Sequence, residues 1–416
     1  MDQKTNSNPP PEPTGPKRTI GLDAHPDTFT AARLLGDTPA AALVDKVFNK
    51  VPMEQLLAWA QKHTTPHDHI VLEASGNSFQ IARLLRAHQR DARVLESCHL
   101  GKLKEAHANN DKLSAVRIGK AFLAGTAKEV WVPDAKTQAR RDLFHVQRKA
   151  VKRTVQMRNR ILSYLSDNGV RLDCAADVLD PARVLASAQW AAYQKQVLAG
   201  LLLELRNAQA EQQHWESLVA QEVVSDPQLL SLVRLCGIRD VIAFSLGAII
   251  GDISRFAKPK QLVKYIGLNP AFDDSGENTW SGGIGGHGRK DLRSLLIEAA
   301  HAILRVSKNP LGQWGRKLMA RKSAPNIAVA AVARKLTVTI WYVLNGRTDP
   351  LAEIDPPLAL KVGKIISRVG PQGLNHLGKT RKTLRTEVYQ SLKTGPTYVL
   401  DPHHKMPPKT AVPQSS

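Results

Sequence analysis

Cysteine is almost missing from this chain: Cys98, Cys174 and Cys236 are far apart among 416 residues and form no C-x-x-C pair. This excludes a disulfide framework and a thiolate zinc site, and it fits a reducing compartment. A basic-then-apolar leader is lacking, and no apolar run reaches the ~20 residues that span a bilayer. A cytoplasmic protein with no membrane partner is therefore expected. Acidic residues are also in short supply, with 37 Asp and Glu against 58 Lys and Arg, a formal charge of +21. Such a surplus disfavours a small-molecule enzyme. It favours a polyanionic partner, because neutralising phosphates releases counterions and gives sequence-independent affinity.

The length suffices for two or three domains, and 42% hydrophobic residues can fill at least one sizeable core. Residues 1–17 are rich in Pro, Asn, Gln and Thr and read as disordered. Strand patterns follow at Arg18–Asp23, Phe29–Leu35 and Ala42–Phe48. Next come a helical Met53–Lys62, a strand His69–Glu73, a helix Ser78–Ala87 and a strand Ala92–Leu95. Strands in a row followed by alternating strand and helix predict a mixed α/β sheet, and one of the RNase H type fits that order.

From Lys136 to about Ser166 the pattern is one long helix, and up to Arg160 it carries nine Lys and Arg against Asp142. Arg140, Arg141, Arg148, Lys149, Lys152 and Arg153 are its candidate nucleic-acid contacts. A second long helical stretch covers about Ala186–Val223. Joined by the Asp173–Pro181 loop, the two form an antiparallel coiled-coil arm or a layer of a helical bundle. Leu229–Leu235 and Val241–Ile250 flank the turn Cys236-Gly237-Ile238-Arg239, which is similar to a helix-hairpin-helix loop with Arg239 in place of its second glycine. After Gly346 the chain turns Pro-rich and basic, and reads as a tail that orders little without nucleic acid.

Two segments carry chemistry. Asp23 and Glu73 each close a strand, and carboxylates at neighbouring strand ends can converge on one divalent ion. Hard oxygen donors suit Mg²⁺, and two such ions about 3.5–4 Å apart would serve a phosphodiester displacement. A third carboxylate is expected from a helix start, Asn110-Asp111-Lys112-Leu113-Ser114-Ala115, with Asp111 and Ser114 on one face. The other segment is Gly-rich: Asp273-Asp274-Ser275-Gly276, Trp280-Ser281-Gly282-Gly283 and Gly285-Gly286-His287-Gly288, followed by the basic Arg289-Lys290-Asp291-Leu292-Arg293. Glycines let backbone approach phosphate, and Arg289, Lys290 and Arg293 at a helix start could hold it. A serine there could attack phosphorus, with His287 as a candidate proton acceptor, but chemistry does not choose between Ser275 and Ser281.

On these residues the chain resembles the IS110 family of insertion-sequence transposases, which includes the Piv-type DNA invertases. At the front the likeness rests on Gly21-Leu22-Asp23-Ala24-His25, Val71-Leu72-Glu73-Ala74-Ser75-Gly76 and Asn110-Asp111-Lys112-Leu113-Ser114. At the back it rests on Arg255-Phe256, Gln261-Leu262, Tyr265-Ile266-Gly267-Leu268, Pro270, Ser275-Gly276, Gly288 and Leu292-Arg293. The resemblance implies a RuvC-like domain over 18–134 with Asp23, Glu73 and Asp111 catalytic, and a helical linker over 135–225. It also implies a mostly helical serine domain over 226–346 with Ser275 as nucleophile, ahead of the basic tail over 347–416. A structured bridge RNA pairing with donor and target DNA, and a tetramer with composite sites, are implied as well. The family usually has a second Asp where this chain has Ser114, a weaker and neutral ligand that Glu105 could replace. Two other readings are a metal-dependent junction nuclease without serine chemistry and a degenerate copy that only binds nucleic acid.

Overall fold

The computed structural model describes residues 18–97, 110–275, 278–306, 309–321, 325–347, 349–350, 354–394 and 396–397; the expectation for 1–17, Glu105 and the end of the basic tail lie outside them. The chain divides into two compact units, with the division after Asp134.

The first unit is a mixed six-stranded sheet in the order β3-β2-β1-β4-β5-β6. Its strands are β1 (Arg18–Ala24), β2 (Thr28–Leu35), β3 (Leu43–Pro52), β4 (His69–Glu73), β5 (Asp91–Leu95) and β6 (Glu129–Val130). β1, β2 and β3 form an antiparallel meander, while β4 and β5 add parallel to β1. Because side chains alternate along a strand, Ile20, Leu22, Ile70 and Leu72 share one face. They pack with Leu56, Trp59 and Ala60 of α1 (Leu56–His63) and Ile81 and Leu85 of α2 (Ser78–Ala87). The other face carries Val71 and Leu95, against Ile118 and Ala121 of α3 (Asp111–Leu123).

Gly21 sets how close α3 comes. A Cβ on it would lie 1.9 Å from the Ala115 carbonyl oxygen and 2.7 Å from the Gly119 nitrogen, so only glycine lets the helix rest directly on β1. The same contact fixes where α3 begins. Asn110 caps it by accepting from the Leu113 amide at 2.9 Å, which puts Asp111 in the first turn.

The second unit is helical apart from short strands. α4 (Ala135–Asp167) and α6 (Ala192–Ser225) run antiparallel, as Arg153–Glu211 and Arg160–Glu204, both at 3.2 Å, demonstrate. The expected second helix begins later than predicted. Asp180 caps a separate short helix, α5 (Pro181–Ala186), and α6 starts after it. Ile161, Leu165, Val178, Val184, Trp190 and Leu198 close the far end of the pair. The main core gathers α7 (Pro227–Val233), α8 (Asp240–Ile250), α9 (Pro259–Ile266), α10 (Lys290–Val306), α11 (Pro310–Arg321) and α12 (Pro325–Leu344), and Ile284 packs against it from the hairpin of β7 (Pro270–Ser275) and β8 (Asn278–Ile284).

Two expectations need correction. The segment after Gly346 contains α13 (Pro356–His376) and α14 (Arg381–Thr394), whose Leu358, Val362, Ile365, Ile366, Val369, Leu384, Val388 and Leu392 are part of the core. Pro356 and Pro357 sit in the first turn, where the missing N–H costs nothing, and Asp355 caps the Leu358 amide at 2.9 Å. Secondly, α12 is long and apolar enough by length and composition to cross a bilayer, but Val329, Val332, Ala333, Leu336 and Ile340 spend that apolar surface on the core.

Candidate functional site

β1 and β4 are parallel neighbours with Leu22 paired to Leu72, so Asp23 and Glu73 stand side by side at the same end of the sheet. Asp111 is brought to that end by α3. Ligand atoms of Asp23, His25 and Asp111 all lie within 4.8 Å of one another. His25 Nε2 is 3.5 Å from Asp111 Oδ1 and 3.9 Å from Asp23 Oδ2. Glu73 is on the adjoining strand end but outside that closest group, and Ser114 lies one helical turn beyond Asp111.

His25 was not singled out from the sequence. It follows a strand end, where a lone histidine carries no periodic signal, and the only hint is its place two residues after Asp23. The structure fixes it through a tight turn, with its amide donating to the Thr28 carbonyl at 2.9 Å, while Asn77 Nδ2 donates to the His25 carbonyl at 2.9 Å. Two carboxylates and an imidazole in this spacing are a donor set for a divalent cation. The oxygens suit Mg²⁺, and the nitrogen widens the choice toward softer ions such as Mn²⁺. A cavity of 790 Å³ adjoins His25, walled by Met53, Leu56, Leu57, Ile81 and Leu84.

The Gly-rich segment forms the antiparallel hairpin β7–β8. Ser275 is the last residue of β7, paired with Asn278 beside the turn, whereas Ser281 pairs with Phe272 along the arm. Side chains of residues 271–282 lie outside the described structure, as do Gly276 and Glu277. The base of the hairpin is defined more fully. Gly267 ends α9 with φ +83°, and a Cβ there would meet the His287 carbonyl oxygen at 2.0 Å. Gly288 has φ +89° and packs its Cα within reach of the Gly267 nitrogen, where a Cβ would come to 2.7 Å. Arg293 locks this crossing by donating to the carbonyls of His287 (2.7 Å), Gly267 (3.3 Å) and Ile266 (3.4 Å).

Beside it the cations crowd together. Burial alone would lower Arg289, but its paired hydrogen bonds to Asp291, at 3.1 and 2.6 Å, hold it above its ordinary value. Arg255 stacks on Phe256 and Tyr265, 4.7 Å from each ring centre. Arg141 donates to the Ala248 and Ile249 carbonyls at the end of α8. Burial, and then the neighbouring Arg289 and Arg255, push its pKa down, with Tyr265 opposing.

The basic candidates of α4 therefore separate. Arg140 is bound to Asp226 at 2.6 Å and Glu222 at 3.0 Å, and Arg141 to backbone carbonyls, so both are spent on folding rather than offered to a ligand. Arg153 shares its charge with Glu211, Arg148 is half-buried, and Lys149 and Lys152 are exposed. Lys290 opens α10, and Arg289 and Arg293 hold the hairpin base as above.

Residues 231–313, which include the hairpin and its base, match the family described as "Transposase IS116/IS110/IS902 family". The chain is similar to the transposase for insertion sequence element IS1111A of Coxiella burnetii, at 26% identity over 66% of this chain and 77% of the relative. It is also similar to a family 20 transposase of Pseudomonas aeruginosa, at 25% identity over 67% and 84%. A third relative is the transposase for insertion sequence element IS1328 of Yersinia enterocolitica, at 21% identity over 74% and 91%. Residues 231–313 thus carry the match to the IS116/IS110/IS902 transposase domain, and the chain is similar to insertion-sequence transposases over most of those relatives' own length.

Proposed function

We propose that this chain is a transposase that cuts and rejoins DNA through a covalent serine–DNA intermediate at Ser275, assisted by a metal held at a RuvC-like acidic site. The convergence of Asp23, His25 and Asp111, with Glu73 at the adjoining strand end, is the observation that carries the reading. Asp23, Glu73 and Asp111 would hold Mg²⁺, which supplies charge neutralisation to phosphate oxygens when bound. His25, within 4 Å of two of those carboxylates, adds a nitrogen donor beside them.

Ser275 is favoured over Ser281 because it ends β7 at the hairpin turn, where the backbone reaches furthest from the packed base. An aliphatic hydroxyl is a weak nucleophile, so it needs cationic surroundings to attack. Arg255, Arg289 and Arg293 stand at the base, at the other end of the strand from Ser275, where they draw a phosphate toward the hairpin; the cation that activates the hydroxyl would come with the assembled nucleic-acid complex. Attack by the Ser275 oxygen on phosphorus forms the serine–phosphate bond, breaks the P–O bond to the leaving strand and moves the hydroxyl proton to a base. The stored phosphodiester is then open to attack by a free strand end, which regenerates the hydroxyl.

Duplex donor and target DNA are the substrates. We further assign a structured guide RNA as partner, with Lys149 and Lys152 exposed on α4 and the +21 charge supporting it, and a tetramer as the acting form in the cytoplasm. The deciding experiment traps strand exchange with Ser275→Ala and wild type and maps any covalent DNA adduct by mass spectrometry. An adduct on Ser275 is expected, and an active enzyme with none, or with one at Ser281 or Tyr265, overturns the reading.

A further inference from the structure

Outside the acidic cluster and the hairpin, the second unit holds a cavity of 450 Å³ lined by Gln213, Glu216, Arg239, Lys364, Ser367 and Arg368. Its cations come from segments far apart in the chain. Arg239 ends the Cys236–Arg239 turn, while Lys364 and Arg368 lie one helical turn apart on α13. Arg381 of α14 reaches in behind them and donates to Ser367 Oγ. Against these four cations stand two carboxylates. Glu216 binds Arg368 Nε at 3.2 Å, and the buried Asp240 binds the same guanidinium. Arg239 Nε also lies 4.0 Å from Asp240, a looser pairing than that of Arg368, which both carboxylates hold, so four cations against two carboxylates leave the cavity net positive.

The shape of the turn is built in. Gly237 has φ +79°, and a Cβ on it would meet the Ala299 carbonyl oxygen at 2.6 Å. Lys361 Nζ donates to the Val233 and Leu235 carbonyls at 2.6 and 2.9 Å, which fastens α13 to the turn and aligns Lys364 beside Arg239. Arg239 occupies the N-cap of the eleven-residue α8 and gives its first-turn amides no side-chain hydrogen bond. A positive concavity at an uncapped helix start suits an anion. Among the described residues no aromatic ring lines it, so it offers no stacking partner for a base, and what it fits is the sugar–phosphate backbone.

We propose that the pocket of Arg239, Lys364 and Ser367 grips a phosphodiester of the bound nucleic acid, a contact independent of strand-exchange chemistry and made jointly by the turn before α8 and by α13, the latter outside the matched segment. Arg239 and Lys364 carry the charge, because their side chains reach solvent, and Arg368 positions the pocket through Asp240 and Glu216. It supplies affinity and register, and it reads no sequence.

The test uses the full chain with Arg239→Gln and Lys364→Gln combined, leaving Arg368 intact so that Asp240 keeps its partner. Binding is titrated against salt with a duplex DNA and, separately, with a structured RNA. Because the pocket holds one phosphate, the double variant should lose roughly 0.9 of log–log slope on a duplex, with melting temperature unchanged. The charge-preserving pair Arg239→Lys and Lys364→Arg should restore the slope. A slope lost with DNA assigns the phosphate to DNA, and one lost with RNA assigns it to RNA. An unchanged slope with both overturns the proposal, and leaves the acidic site and Ser275 untouched.

Discussion

His25 Nε2 lies 3.5 Å from Asp111 Oδ1, one from the end of β1 and the other from the first turn of α3. The pairing exists because Gly21 and Gly119 let that helix rest on that strand. Asp23→Asn and Asp111→Asn should each lower strand exchange by on the order of 10²–10³, the scale of losing one preorganised electrostatic group. Gel assays on a labelled junction would measure it, with circular dichroism to check the fold. His25→Asn should weaken metal binding by calorimetry and shift preference from Mn²⁺ toward Mg²⁺. Unaltered exchange in both carboxylate variants would remove the metal site from the mechanism.

Ser275→Ala is expected to abolish the covalent adduct and recombination while DNA affinity holds, whereas Ser281→Ala stays active. The two residues sit in the same hairpin, one beside the turn and one along the arm, so a merely structural effect should appear in both.

Gly267 and Gly288 cross back to back under the hairpin with φ of +83° and +89°. Gly267→Ala should cost about 1–3 kcal/mol for the backbone conformation, with more from the His287 carbonyl that the new methyl would strike. Thermal melting reports it, and Gly285→Ala, which meets open space, is the control expected to melt as wild type.

Lys361 should impose a pH dependence on stability. Burial lowers its folded pKa to about 8 from an ordinary 10.5. Between those values the unfolded chain holds a proton that the folded one has released, so stability from this group rises with pH across that window and is flat below it. Lys361→Met should flatten the melting temperature between pH 8 and 10.5. A slope identical to wild type there would place the titration elsewhere.

Removing residues 398–416 should leave the second unit folded, whereas a stop at 355 should not. The shorter cut keeps Leu384, Val388 and Leu392 in the core, and the longer one strips both C-terminal helices from it. Proteolysis of the two chains would separate them, with rapid digestion expected only for the stop at 355.

The sequence was most legible where one period ran unbroken. His69–Glu73 and Ser78–Ala87 are observed with the residues expected, and α4 differs from its expected span by about a residue at each end. α13 was hidden because Pro356, Pro357, Gly363, Gly370 and Pro371 read as loop, although the prolines at its start are compatible with a helix and the chain kinks at Gly370, with φ +69°. Charge counts along α4 did not separate Arg140, held by Asp226 and Glu222, from the exposed Lys149, since the partners lie on α6 and at its end. Asp23 and Asp111 are expected together from their places at element ends, and the structure brings them within 4.8 Å. His25 is not expected with them, because the contact that gives it meaning is made in space.

The second unit also sets the order in which the chain can fold. Trp341 Nε1 donates to the Phe256 carbonyl at 2.8 Å, Ser217 Oγ to that of Val369 at 2.7 Å, and Lys361 to the turn after α7. Every one of these links joins early chain to late chain, which is the topology that slows folding. A nascent polypeptide that has already exposed Val219, Phe244 and Leu296 must keep that apolar surface unpartnered until α14 leaves the ribosome. Chaperone occupancy on arrested nascent chains should therefore fall only once Leu392 has emerged.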